Sequence, residues 1–110
     1  MIRTNKELMQ VLTAIPGFSK KVAYHAFPAD KAVPLPVILY EVARSNNFGA
    51  DDRVYFPVNH YEVQLYTANK EPATEAALET ALQSAGIFWE KSETYLPEER
   101  CYQIIYEIEL

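Results

Sequence analysis

Two stretches of this chain alternate apolar and polar residues, and a single well-marked helical stretch lies between them. In residues 60–67, the apolar side chains of Tyr61 and Val63 alternate with polar neighbours. Residues 101–110 repeat the pattern, with Ile105 as its one exception. Alternation with a period of two is typical of a strand that buries one face. The chain therefore has to cover one face of a sheet, and helices are the natural cover.

The helical stretch between these strands carries clear signals at both ends. Pro72 suits the first helical position, and Asn69 or Glu71 can cap it. Gly86 lies where a left-handed residue ends a helix, and Ile87 can contact the last turn as in a Schellman motif. Three acidic residues lie toward the positive end of the helix dipole, namely Glu71, Glu75 and Glu79. The predicted buried stripe consists of Leu78, Ala81, Leu82 and Ala85.

The other elements follow from capping and turn residues. A capping box at Thr4–Glu7 starts a first helix whose stripe is Leu8, Val11, Leu12 and Ile15, and Pro16–Gly17 stops it. The predicted strands cover residues 22–27, 37–44, 53–56, 60–67, 87–95 and 101–109, with a proline-rich loop at 28–36 and turns at 45–52 and 96–100. The order α-β-β-β-β-α-β-β predicts one domain over residues 1–110. Its expected fold is α+β, with two helices packed on a mostly antiparallel sheet.

Composition narrows the class of protein. The chain has 110 residues, a formal net charge of −5 and one cysteine, which excludes an internal disulfide framework. Its start has no secretory pattern, and its apolar runs are too short for a membrane span, so we expect a soluble intracellular domain. An acidic chain without a Lys/Arg cluster lacks the footprint of nucleic-acid binding.

Charge is unevenly distributed along the chain. Residues 1–36 hold five basic and two acidic side chains, whereas residues 37–110 hold five basic and thirteen acidic ones. This asymmetry allows the basic side of one copy to meet the acidic side of another. The alternative interpretation is that both are solvated faces that keep a monomer soluble.

Candidate chemical groups are few. His25 and His60 lie far apart on predicted strands, and no spacing joins them to a third metal ligand. Cys101 has no local signature of a nucleophile and is predicted to pack in the core. Asp51 and Asp52 follow Gly-Ala and are interpreted as turn residues rather than metal ligands. The sequence therefore predicts no catalytic, cofactor-binding or metal-binding residue.

Aromatic residues are abundant, with eight tyrosines, five phenylalanines and one tryptophan. Several lie in or beside predicted loops and edge-prone strands: Phe48, Tyr55, Phe56, Phe88, Trp89 and Tyr95. Aromatic side chains of this kind are favoured at protein interfaces, but strands also attract them by propensity. Both interpretations, interface and core, stay open at this point.

Several segments together resemble a family of small proteins of long-tailed phages and prophages. The segments are Pro36–Tyr40, Asn47–Asp51, Val63–Thr67, Lys70–Pro72, Ala85–Ile87, Glu93–Tyr95 and Cys101–Glu107. The pattern extends over about residues 22–110 and is similar to that of tail-completion proteins, which are also called tail-terminator or tail-to-head joining proteins.

The resemblance implies a structural, non-enzymatic role without cofactors. Such a protein assembles as a ring, often of six copies, caps the head-proximal end of the tail tube and presents a surface to the head connector. Its partners would be itself, the tail tube protein and the connector, in the bacterial cytoplasm during assembly and then in the virion tail. We expect the loop 45–53 and the hairpin near Tyr95–Arg100 to make these contacts. The candidate interface residues are Phe48, Asp51, Asp52, Arg53, Tyr55, Trp89, Tyr95 and Arg100.

Two other functions compete with this one. A neck or head-closure protein would contact the portal side of the joint instead of the tube. A small-ligand-binding or enzymatic α+β domain would need a pocket with convergent polar groups around His25, His60 or Cys101.

Overall fold

The computed structural model describes residues 4–45, 48–50, 53–56 and 58–110, with backbone alone for 48–50 and 53–56. Its elements in chain order are α1 (Asn5–Thr13), β1 (Val22–Tyr24), β2 (Val37–Ser45), β3 (Phe48–Ala50), β4 (Arg53–Phe56), β5 (Asn59–Thr67), α2 (Pro72–Ser84), β6 (Trp89–Leu96) and β7 (Cys101–Glu109). Neither helix is long and apolar enough to cross a bilayer in the part of the chain described.

Five strands form the main sheet in the order β1-β2-β5-β7-β6. β1 runs parallel to β2, and every other neighbouring pair in this sheet is antiparallel. The α+β fold with two helices on a mostly antiparallel sheet is thus confirmed. β1 and β6 form the two edges of the sheet.

Three strand predictions need correction. The strand predicted at 22–27 ends at Tyr24, because His25 adopts a positive φ of 67° that an extended strand does not allow. The segment predicted as a turn at 45–52 contains β3, which pairs with β4. The strand predicted at 53–56 exists, but it belongs to this separate two-stranded sheet, so the main sheet has one strand fewer than predicted.

The start of α1 and the end of α2 follow the predicted local chemistry. In contrast, Glu71 precedes α2 without a side-chain capping hydrogen bond, and α1 ends at Thr13, before the predicted stop at Pro16–Gly17. The Thr4 hydroxyl accepts a hydrogen bond from the Glu7 N–H at 3.1 Å and donates one to the Glu7 carboxylate at 3.0 Å, which caps α1. At the end of α2, the Ile87 N–H donates to the Leu82 carbonyl at 2.9 Å, and Gly86 has a φ of 76°. The predicted Schellman motif is therefore confirmed.

Both helices lie on one face of the sheet, which we call the covered face. Tyr61 of β5 donates a hydrogen bond to Asn5 of α1, and Tyr106 of β7 donates one to Glu79 of α2. The core between the layers includes Leu8, Leu12, Ile38, Val63, Leu65, Leu78, Leu82, Ile104, Tyr106 and Ile108. Each fully buried aliphatic side chain of this kind contributes about 1.5–3 kcal/mol to folding. The opposite, open face has no helix over it among the described residues.

Candidate interaction surfaces

Cys101 lies far from His60, with which it was considered for catalysis. Cys101 begins β7, whereas His60 is paired with Glu109 at its other end, so the two are separated by about 27 Å along the strand. Burial, followed by the Glu99 carboxylate, raises the pKa of the Cys101 thiol. A buried thiol with a raised pKa and no nearby imidazole is a poor nucleophile.

His25 and His60 each bind a glutamate of the open face. His25 Nδ1 lies 2.6 Å from a Glu41 carboxylate oxygen, and His60 Nε2 lies 3.0 Å from one of Glu107. Within the described ranges, no group of three or more His, Cys, Asp or Glu side chains is arranged to hold a metal ion. Each histidine therefore serves as the partner of a neighbouring carboxylate on the sheet.

Three of the predicted interface residues belong to the paired strands β3 and β4, and two more lie between these strands in the sequence. Phe48 belongs to β3, and Arg53 and Tyr55 belong to β4, where the structure describes the backbone. Asp51 and Asp52 lie outside the described residues. Strands β3 and β4 lie between β2 and β5 in chain order and form a sheet of their own. Their projection from the main sheet and their role in an interface stay predictions.

The other three predicted interface residues differ in exposure. Trp89 is half-buried, and its ring packs edge-on against Tyr106 at 5.6 Å, so it supports the core. The Tyr95 side chain is 48% exposed and packs edge-on against Tyr102 at 5.0 Å. Arg100 is exposed in the hairpin turn with a φ of 52°. Tyr95 and Arg100 are therefore available to a partner, and Trp89 is so only in part.

The open face carries a row of four glutamates. The strand register places Glu41 opposite Glu62, Glu62 opposite Glu107, and Glu107 opposite Glu90. Neighbouring strands are about 4.8 Å apart, so this acidic row spans about 14 Å. Like charges directly opposite each other destabilise a sheet. The acidic row is thus unfavourable for the isolated subunit.

Neutral groups or imidazoles are the partners of the acidic row. Glu41 and Glu107 bind the two histidines, and Glu62 accepts a hydrogen bond from Gln64 at 3.1 Å. Glu90 makes no ion pair with a described residue, and no described lysine or arginine pairs with any member of the row. The row therefore presents negative charge to the surroundings.

A chain of hydrogen bonds orders the centre of the open face. Gln103 donates to the Tyr66 hydroxyl at 2.8 Å, Tyr66 donates to Gln64 at 2.9 Å, and Gln64 donates to Glu62. Burial raises the pKa of Tyr66, and the hydrogen bond from Gln103 opposes that rise in part. Each hydrogen bond in this series is donated toward the acidic row, so the series stabilises the negative charge of Glu62.

A shallow cavity of about 590 Å³ opens where the acidic row reaches the β6 edge. Its lining includes Phe88, Trp89, Glu90 and Glu107 together with His60. The Phe88 side chain is 69% exposed, which is the largest exposure among the large apolar residues described. An aromatic ring beside carboxylates suits a side chain with an apolar stem and a cationic end.

The opposite edge of the sheet is basic. Lys20 and Lys21 immediately precede β1, and Lys31 lies in the loop after it. None of the three makes an ion pair with a described residue. In contrast, residues 89–100 on β6 and its turn hold four glutamates against one lysine and one arginine. The two edges of one sheet therefore differ in charge.

A separate charged cluster joins α2 to the covered face. Glu75 is almost fully buried, and its carboxylate lies 2.7 Å from Lys70 Nζ and 3.3 Å from Lys91 Nζ. Burial pushes the pKa of Glu75 upward, but the hydrogen bonds from Lys70 and Lys91 together outweigh it, so the pKa lies below its usual value. Lys91 also binds Glu79 at 2.7 Å. This cluster fastens α2 to β6 and leaves no charge unpaired.

Sequence reasoning missed both charged features. The helical pattern assigned Glu75 to a dipole contact at the start of α2, because the lysines that neutralise it come from outside the helix. The acidic row was missed because its members lie on four separate strands, namely β2, β5, β6 and β7. The one available signal was that Glu62 and Glu107 hold polar-face positions in the two alternating strands.

Comparison of the sequence with known protein families and with curated proteins found no match. The resemblance to tail-completion proteins, and the ring, partners and location that it implies, therefore stay predictions.

Proposed function

We propose that this chain is a structural protein of a tailed phage or prophage. In this proposal it caps the head-proximal end of the tail tube as an oligomeric ring and helps to join the tail to the head. Its partners are further copies of itself, the tail tube protein and the head connector. The function requires contact surfaces between subunits and no catalytic group.

The observation that carries the proposal is the uncovered sheet. One whole face lacks a helical cover among the described residues, and the eight-residue edge strand β6 has a described neighbour on one side. Open edges and charged faces are available to pair with other chains. The exposed side chains of Phe88 and Tyr95 lie at or beside this edge, as a protein interface favours.

A null mutant of the phage tests the function directly. We expect tails that overgrow or fail to join heads, measured as the length distribution in electron micrographs, because nothing stops polymerisation of the tube. Normal free tails beside leaking heads would instead identify a head-closure protein and contradict the tail-terminator role.

The purified protein gives an independent test. Light scattering after size exclusion should show a closed oligomer of about six copies, or recruitment of the protein to the ends of added tail tubes. A strict monomer that ignores both tubes and connector would contradict the proposal and favour a ligand-binding domain. In that case the cavity near His60 is the place to search for a ligand.

The predicted contact loops can be tested with a double variant. Phe48→Ala together with Tyr95→Ala should weaken oligomerisation or tail capping, because both residues belong to the segments predicted to make the contacts. Leu35→Ala, a truncation of another exposed apolar residue, serves as the control. Intact oligomerisation and intact capping in the double variant would show that these loops are not the contacts.

A further inference from the structure

We infer that the contact between neighbouring copies is electrostatic and head-to-tail. The acidic row and the Phe88 cavity of one copy receive the basic edge at Lys20 and Lys21 of the next. This inference rests on the proposed function, since it assigns the surfaces that build the proposed ring.

The acidic row supplies the first reason. Its four carboxylates are held side by side by the strand register, and the described lysines and arginines leave all of them without an ion pair. Folding of one subunit therefore leaves a repulsion that a cationic neighbour would relieve.

The cavity at the end of the row supplies the second reason. Phe88 is exposed beside Glu90 and Glu107 at the β6 edge. A lysine side chain matches this environment, because its methylene stem can pack on the ring while its ammonium group binds a carboxylate.

The basic edge provides the matching cations. The described lysines at the other end of the sheet, Lys70 and Lys91, are each bound by two glutamates. Lys20 and Lys21 have no such partner among the described residues, and Lys20 is exposed. Their charge is therefore free to serve a second copy.

The placement of the two surfaces favours a second copy over a foreign partner. They lie at opposite edges of one sheet, at β6 and before β1. A contact between unlike surfaces of identical subunits is heterologous, and it closes into a ring when the rotation between subunits allows. One kind of contact can then build the complete assembly.

A charge-reversal experiment tests this contact. One variant carries Glu90→Lys and Glu107→Lys, and the other carries Lys20→Glu and Lys21→Glu. Each variant alone should associate at least about tenfold more weakly than the wild type, because like charges then face each other. A one-to-one mixture should recover association, because both kinds of contact in an alternating assembly are complementary. Association is measured by light scattering, with and without tail tubes.

Further variants separate charge from misfolding. Glu90→Gln with Glu107→Gln should weaken association without introducing new charge, and thermal unfolding checks the fold of every variant. Phe88→Ala should weaken association about tenfold with unchanged unfolding, because the ring is exposed in the free subunit. Lys6→Glu reverses an exposed charge on α1 and should have no effect.

Each contrary outcome has a separate meaning. If both reversed variants associate like the wild type, the assigned surfaces are wrong and the proposed function stands. If neither the variants nor their mixture associate, the acidic row and basic edge do not meet each other, and a basic surface of the tube or connector is the occupant. If the wild type itself never associates with copies or tubes, the proposed function fails.

Discussion

The two faces of the sheet differ in how their carboxylates are compensated. On the covered face, the charged cluster around Glu75 is neutralised by Lys70 and Lys91, and apolar side chains fill the remaining space. On the open face, four glutamates line up with histidine and amide partners alone among the described side chains. The covered face thus completes the fold of one chain, whereas the open face holds charge that one chain leaves unneutralised.

The largest expected difference between the faces comes from two consecutive isoleucines of β7. Ile104 is fully buried on the covered face, and Ile105 is half-buried on the open face. Ile104→Ala should lower the free energy of unfolding by about 4 kcal/mol, and Ile105→Ala by about 1 kcal/mol, because the second leaves no enclosed cavity. Denaturant unfolding measures both. Equal losses would show that the open face is covered after all.

The charged cluster on the covered face gives the next largest effect. Glu75→Gln should lower the free energy of unfolding by about 1–2 kcal/mol, because it removes the charge between Lys70 and Lys91. The effect stays below that of a fully buried pair, since both lysines are partly exposed. Glu90→Gln on the open face is the matched control and should leave stability unchanged or higher. If Glu90→Gln lowered the free energy of unfolding as much as Glu75→Gln, the two faces would not differ in how their charges contribute to stability.

Alkaline pH should also act through the covered face. Burial, followed by the hydrogen bond to Glu79, raises the pKa of Tyr106. A group with a raised folded-state pKa contributes stability that is complete below its ordinary value of 10.0 and is lost as pH rises above it. The free energy of unfolding should therefore fall above about pH 10, by at most about 1.4 kcal/mol per pH unit for this group.

The variant Tyr106→Phe isolates that contribution. It should have a shallower decline in stability above about pH 10, while Tyr95→Phe at an exposed position serves as the control. An unchanged decline in Tyr106→Phe would assign the alkaline loss to other groups, of which Lys91 is the first candidate because its bond to Glu79 raises its pKa as well.

The smallest expected effect has the opposite sign. Glu62→Gln should raise the free energy of unfolding by about 0.5 kcal/mol, because it removes one charge from the middle of the acidic row. The same variant should weaken association between copies if the row is the contact that we infer. A loss of stability in this variant would show that the row is not repulsive, and thermal unfolding at low salt is the suitable measurement.

Prediction from the sequence was most accurate where the signals are local. Pro72 at the start of α2 and Gly86 after its end lie within a few residues of the backbone groups that they affect, and both bounds were correct. Prediction was weakest for short strands. β3 has three residues, too few for an alternating pattern, and the strand at 22–27 ended early because His25 leaves the extended conformation.

The interface role of the candidate residues stays a prediction, and the structure shows how exposed the described ones are. The unequal charge of the two chain segments and the abundance of aromatic residues were the reasons to expect contact surfaces. Trp89, however, packs on Tyr106, and Phe88 beside it is the more exposed residue. Alternation in a strand that starts near a loop does not reveal which of two adjacent aromatic residues faces the helices.

By itself, the sequence determined which residues share a face within each strand, because side chains alternate with a period of two whatever the strand pairs with. It also determined the start of α1 and both ends of α2, because these depend on neighbouring residues. Only the tertiary structure decided that Glu41, Glu62, Glu107 and Glu90 form one row and that Glu75 lies between two lysines. These contacts depend on the register between segments distant in the chain, and that register is set by the packing of the whole sheet.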